Sequence, residues 1–197
     1  MAKRNFQSRP LILRQSSNYQ VVAGFAAALK LVKLYDKPAD PSGFVTRRMC
    51  WQIDPGLEMF YAEEVRSASC FLQVLGDNGE DVNDITSALR DFFSPLTHDE
   101  LLGDICTSKT IDDRAHAIVR AGLGAPWEFD NRFYVQISSA MESAEPKIRE
   151  AGAWAASFLR WQEFQLFLER IESSDPEKGL RVAAKAILDI GYRKAQS

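Results

Sequence analysis

Histidine is scarce and cysteine is unpatterned in this chain. Only His98 and His116 occur, and neither stands beside a cysteine or serine that it could activate. A Ser–His or Cys–His catalytic pair is therefore disfavoured. The three cysteines, Cys50, Cys70 and Cys106, form no C-x-x-C pair, and their odd number suits no disulfide framework. Zinc needs several soft ligands at matched spacing, which three scattered cysteines do not supply. Each sits among apolar neighbours, so buried reduced thiols are expected. The chain has no H-E-x-x-H, no Walker A loop, and no G-x-G-x-x-G behind a strand pattern. The longest apolar stretch, Val21 to Val32, is interrupted by Lys30 and is too short to span a bilayer. Met1 to Pro10 is polar and basic with no apolar core behind it, so no secretory signal is expected. These absences lead to the expectation of a cytoplasmic protein with no membrane, metal or cofactor, more readily a non-enzyme than an enzyme.

What is present is enough to fold. The chain has 197 residues, 46% apolar and 11% aromatic, which suffices for one sizeable core or for a small domain joined to a repeat array. Its net charge of -3 is mild but unevenly spread. Residues 1–48 carry nine Lys or Arg against two Asp, a net of +7; residues 49–109 carry three against twelve, a net of -9; the rest carry twelve against thirteen, a net of -1. Either the basic segment packs on the acidic one, or it offers a surface to an anionic partner.

The first fifteen residues read as a basic extended arm with a short strand at Leu11–Leu13. Ser16, Ser17 and Asn18 offer N-caps for a helix to about Tyr35, with Lys30, Lys33 and Lys37 near its C-terminal end, where the helix dipole favours cations. Asp36 to Gly43 reads as a loop. Residues 46–75 read as a three-stranded antiparallel meander, turned at Asp54-Pro55-Gly56 and again before Ser69. The Val21–Val32 helix is the obvious cover for one face.

From Glu80 the pattern is helical, and it repeats. Apolar or small residues at i, i+3, i+4, i+7 and i+8 mark one helix face beginning at Ile85, Ala115, Ile148 and Leu180. Second helices carry Leu101, Leu102, Ile105 and Cys106; then Phe133, Ile137, Ala140 and Met141; then Phe164, Phe167, Leu168 and Ile171. Breaks fall at Ser94-Pro95, Thr107–Thr110, Gly124–Pro126 and Ser173–Pro176. Asp175-Pro176 precedes Arg181 and Val182-Ala183-Ala184, and Glu145-Pro146 precedes Arg149 and Glu150-Ala151-Gly152. An acidic residue and Pro, then a basic residue beside small ones, resembles the HEAT-type repeat over about residues 112–197, more weakly over 80–111. The resemblance implies stacked antiparallel helix pairs, an α-α superhelix.

The fold class expected is thus α+β, mainly α. A segment 1–78 with a helix and a three-stranded meander would cap HEAT-like repeats over 79–197. The carboxylate groups Glu63-Glu64, Glu80-Asp81-Asp84, Asp99-Glu100-Asp104 and Asp112-Asp113 fall mostly in first helical turns, where the dipole accounts for them. The residues expected to meet a partner are Trp127, Arg149, Trp154, Arg160 and Trp161, because exposed Trp with Arg is the usual composition of a binding hot spot. The competing reading is that these rings fill gaps left by so many Ala and Gly. A solenoid surface without a catalytic set points to a protein-binding module: an adaptor, an assembly factor, or an inhibitor or immunity-type protein. The alternatives are nucleic-acid binding through Lys3, Arg4, Arg9, Arg14, Arg47 and Arg48, since some HEAT-like proteins are DNA glycosylases, and cofactor attachment, as in bilin-lyase relatives.

Overall fold

The computed structural model of the chain describes residues 4–38 and 45–192. It is α+β and divides into two compact units, Met1–Thr97 and His98–Ser197.

The first unit is built on one antiparallel sheet. Two short strands, β1 (Phe6–Gln7) and β2 (Leu11–Ile12), both pair with β6 (Ser69–Gly76). The order across the sheet is β1-β6-β5-β4-β3, where β3 is Val32–Pro38, β4 is Val45–Asp54 and β5 is Leu57–Glu64. The β4–β5 hairpin turns at Asp54-Pro55-Gly56, and Gly56 takes φ +84°, a value that L side chains rarely adopt. The expected three-stranded meander is therefore the centre of a wider sheet.

The first helix is shorter than the sequence suggests. Asn18 caps α1 (Tyr19–Ala28) by accepting from the backbone amides of Gln20 at 3.0 Å and Val21 at 3.3 Å. The helix ends where Lys30 enters the left-handed region at φ +55°. The chain then forms β3 rather than continuing to Tyr35. Local sequence suits either outcome, and pairing with the open side of β4 selects the strand, because it satisfies a row of backbone groups that a helix would leave unpaired. Lys33 and Lys37 thus lie on a strand, and the last turn of α1 holds no basic residue. Part of the loop expected at Asp36 to Gly43 is strand as far as Pro38; residues 39–44 lie outside the described residues, as do residues 1–3 of the basic arm.

One face of the sheet carries the core. Met49, Trp51, Met59, Tyr61, Leu72 and Val74 pack with Val22 and Ala26 of α1 and with Val82, Leu89 and Phe93 of α2 (Gly79–Phe93). The Ile85 face, expected to open the repeat series, is spent on the sheet: Ile85 lies against this same core, and the first unit runs past residue 78 to Thr97. One cation of the basic segment reaches carboxylates of the acidic one, and another is paired inside its own segment. Arg4 binds Glu58 and Asp77, and Arg47 binds Asp36.

The second unit contains α3 (His98–Thr107), α4 (Ile111–Gly124), α5 (Asn131–Met141), α6 (Pro146–Leu159), α7 (Gln165–Ser174) and α8 (Lys178–Gly191). The signals for these helices are local. Thr110 caps α4 by accepting from the Asp113 amide at 3.0 Å, Asp130 caps α5 by accepting from the Arg132 amide at 2.8 Å, and Pro146 occupies the first turn of α6. α3 packs on α4, α5 on α6, and α7 on α8, while α6 also touches α4 and α8. α6 makes its most extensive contact with α4, not with the helix before it. The small residues of α4 and α6 are required: a Cβ on Gly122 would lie 2.5 Å from Ala155 Cα, and one on Gly152 would lie 2.7 Å from Met141 Cγ. No helix among the described residues is long and apolar enough to cross a membrane.

Candidate partner-binding surface

Two loops of the second unit bring aromatic side chains together. The α4–α5 connection carries Trp127 and Phe129. At the end of α6, Arg160 takes φ +54° and turns the chain, so that Trp161 begins a short 3-10 turn, Gln162–Phe164, leading into α7. Trp161 Nε1 donates to the Trp127 carbonyl at 3.0 Å and ties the two loops.

The rings form a continuous cluster. Trp161 stacks on Phe164 with centroids 5.8 Å apart and planes 9° apart. Phe129 meets Trp161 at 5.2 Å and Tyr134 at 5.5 Å; Tyr134 meets Phe164 at 5.4 Å and Phe167 at 6.4 Å. The Arg170 guanidinium stands 5.8 Å over the Phe167 ring. The cluster is graded. Phe164 and Trp161 are buried, at 0% and 6% exposure, whereas Trp127 and Phe129 are 45% and 47% exposed. The buried rings hold Phe129 at the solvent edge, and the Trp161 bond holds the backbone of Trp127 beside it, so less freedom remains to be lost when a partner covers them.

The structure separates the five residues expected to bind a partner. Trp127 is exposed, and Arg160 is exposed at the turn that immediately precedes Trp161. Trp154 is half-buried, with Nε1 3.4 Å from Glu150 Oε1 one helical turn back. The other two are structural. Trp161 belongs to the core. Arg149 is held inside the unit: Nε donates to Asp175 Oδ2 at 2.7 Å, Nη2 to Oδ1 at 3.0 Å, and Nη1 to the Ser143 and Ala144 carbonyls at 3.0 and 2.9 Å. That bonding holds the Asp175 carboxyl below its ordinary value, partly opposed by burial. Asp175 also accepts from the Glu177 amide at 2.9 Å, and Glu177, not Asp175, is the residue that opens α8.

Sequence reasoning passed over Phe129, which stood in the aromatic run after Trp127 but looked no different from buried Phe133. It also missed a groove of about 420 Å3 between α3 and α5, lined by Leu102, Gly103, Cys106, Arg132, Val135 and Gln136, with Asn131 at one end. The available signal was Val135, an apolar residue off the Phe133–Ile137 face, which is 50% exposed.

Of the cysteines, all expected to be buried, Cys106 is exposed, while Cys50 is buried and Cys70 half-buried. Burial, followed by the charge of Glu58, pushes the Cys50 thiol up to about 12, and burial raises Cys70. The chain matches no protein-family model, no curated protein and no solved structure.

Proposed function

We propose that this chain is a non-catalytic protein-binding module, an adaptor, assembly factor or inhibitor, whose second unit is a short HEAT-like α-α solenoid. The exposed aromatic edge of Trp127 and Phe129 is the observation that carries this reading. Two half-exposed aromatic rings on a buried, hydrogen-bonded root are costly to leave in water and well suited to an anchor pocket in a partner. Arg160 adds a cation on the α6–α7 turn, which the Trp161–Trp127 hydrogen bond ties to that loop.

The solenoid reading is supported by repeated bonding. Arg149 donates to the carbonyls six and five residues before it, Ser143 and Ala144; Arg181, thirty-two positions on, donates to Asp175 and Pro176 at the same offsets. Recurring side-chain contacts at one period are what stacked equivalent units produce. The nucleic-acid alternative is weakened by the neutralisation of Arg4 and Arg47 on neighbouring carboxylates.

The test compares the native chain with a Trp127→Ala, Phe129→Ala variant as baits, with cross-linking to locate the contact. The expected result is one protein recovered near stoichiometry, cross-linked beside Trp127, and lost at least about tenfold in the variant, as removal of a central anchor requires. Recovery of no stoichiometric protein, or equal recovery by the variant, rejects the proposal.

A further inference from the structure

The open edge of the first unit's sheet combines two properties that its own packing does not explain. The first is exposed aliphatic surface. Leu29, Val32 and Leu34, in the turn after α1 and on β3, are 56%, 62% and 43% exposed. The second is positive charge. Residues 29–48 carry Lys30, Lys33, Lys37, Arg47 and Arg48 against Asp36 and Asp40, a net of +3. Asp36 is already bound by Arg47 at 2.9 Å and approached by Lys33 at 3.6 Å. Lys30, Lys37 and Arg48 are exposed.

The register makes the charge pattern informative. Lys37 stands directly across from Arg48 in the β3–β4 ladder. Like charges facing each other on adjacent strands oppose folding, and the Tyr35 ring, 5.4 Å from Lys37 Nζ, offsets this only in part. Among the described residues no carboxylate pairs with either of the two, and an external anion would relieve the repulsion.

Another strand is not the fitting occupant. The β3 edge carries lysines, an irregularity between Lys33 and Tyr35, and Pro38, which has no amide hydrogen to donate. Those are the features that block edge-to-edge pairing. A surface that offers both apolar depth and negative charge, without needing backbone pairing, is the headgroup region of an anionic bilayer. Aliphatic tips enter the acyl boundary while lysines remain among the phosphates.

We propose that the Leu29–Lys37 edge docks this protein peripherally on anionic lipid surfaces, in contrast to the sequence expectation of no membrane partner. This rests on a different unit from the protein-binding surface and stands or falls separately.

The test is co-sedimentation of the full chain with vesicles of phosphatidylcholine alone, or with roughly one-third phosphatidylserine. The expected result is binding to the anionic vesicles only, lost at about 0.5 M salt, where charges are screened within a few ångströms. Lys30→Glu with Lys37→Glu is expected to lower partitioning at least about tenfold, and Leu29→Ser with Val32→Ser comparably. A control of equal net charge, Lys109→Glu with Lys178→Glu, on exposed positions of the second unit, is expected to bind as the native chain does. Three results overturn the proposal: no preference for anionic vesicles, binding unchanged by both edge variants, or binding to duplex DNA that the edge variants abolish while vesicle binding is absent. A salt-insensitive dimer abolished by Leu29→Ser with Val32→Ser overturns it too, and assigns the edge to a second copy. The native chain's salt dependence decides the matter even if a variant fails to fold.

Discussion

The guanidinium of Arg149 grips the carboxylate of Asp175 by two bonds, 2.7 and 3.0 Å long, across twenty-six residues of chain. Arg149 sits on α6 and Asp175 precedes α8, so the pair joins two helices that the sequence shows only as separate amphipathic segments. Both side chains are largely withdrawn from water, at 12% and 3% exposure.

Because Arg149 holds Asp175 below its ordinary carboxylate value, the pair makes stability depend on acid. A depressed native pKa stabilises the fold wherever the unfolded carboxyl is ionised, above about 3.9. That contribution fades as pH falls below this value and through the lower native pKa. Asp175→Asn is expected to flatten this acid limb, and Asp175→Ala to cost about 3 kcal/mol near neutral pH by leaving a buried guanidinium uncompensated. Urea melts from pH 2.5 to 7 check both; a variant limb as steep as the native one rejects the assignment.

Gly122→Ala is expected to destabilise the second unit by about 2 kcal/mol, since its methyl would lie 2.6 Å from the Ala155 methyl and 2.5 Å from its backbone. Ala155→Gly in the same chain should restore only part of the loss, because the backbone contact persists. Full restoration, or no loss in the single variant, would show that the α4–α6 spacing is wider than described.

Trp127 and Trp161 are expected to behave oppositely. Trp161→Ala removes a core ring and the bond that ties two loops, at a cost of about 3 kcal/mol. Trp127→Ala and Phe129→Ala expose little new surface and should shift stability by less than about 1 kcal/mol each. Thermal melts beside partner capture separate the two effects, and a large loss of stability in Trp127→Ala would make that residue structural.

The thiols should react unequally. Cys50 is buried and pushed to about 12, Cys70 is half-buried, raised, and directed to the Ser17 carbonyl, and Cys106 is exposed. With Ellman's reagent at pH 8, one fast thiol is expected in the native chain, absent in Cys106→Ser, with all three reacting in guanidinium. A fast phase surviving Cys106→Ser would contradict the shielding of Cys50 and Cys70.

The sequence by itself determined the elements whose signals are local. The 3.6-residue apolar period, the breaks at Thr107–Thr110 and Gly124–Pro126, and Pro146 placed α4, α5 and α6, because chain breaks and amphipathicity act within a few residues. Asp54-Pro55-Gly56 located the β4–β5 turn for the same reason. Tertiary structure alone decided where local preference was even. Val32–Pro38 became a strand because β4 had an edge to satisfy, and the Ile85 helix went to the sheet because Met59, Leu72 and Val74 needed cover. It also decided which members of the expected binding set meet solvent. An Arg or Trp has the same local signature whether buried or exposed; Asp175 and the Trp127 carbonyl, twenty-six and thirty-four residues away, drew Arg149 and Trp161 inward and left Trp127 and Phe129 as the exposed edge.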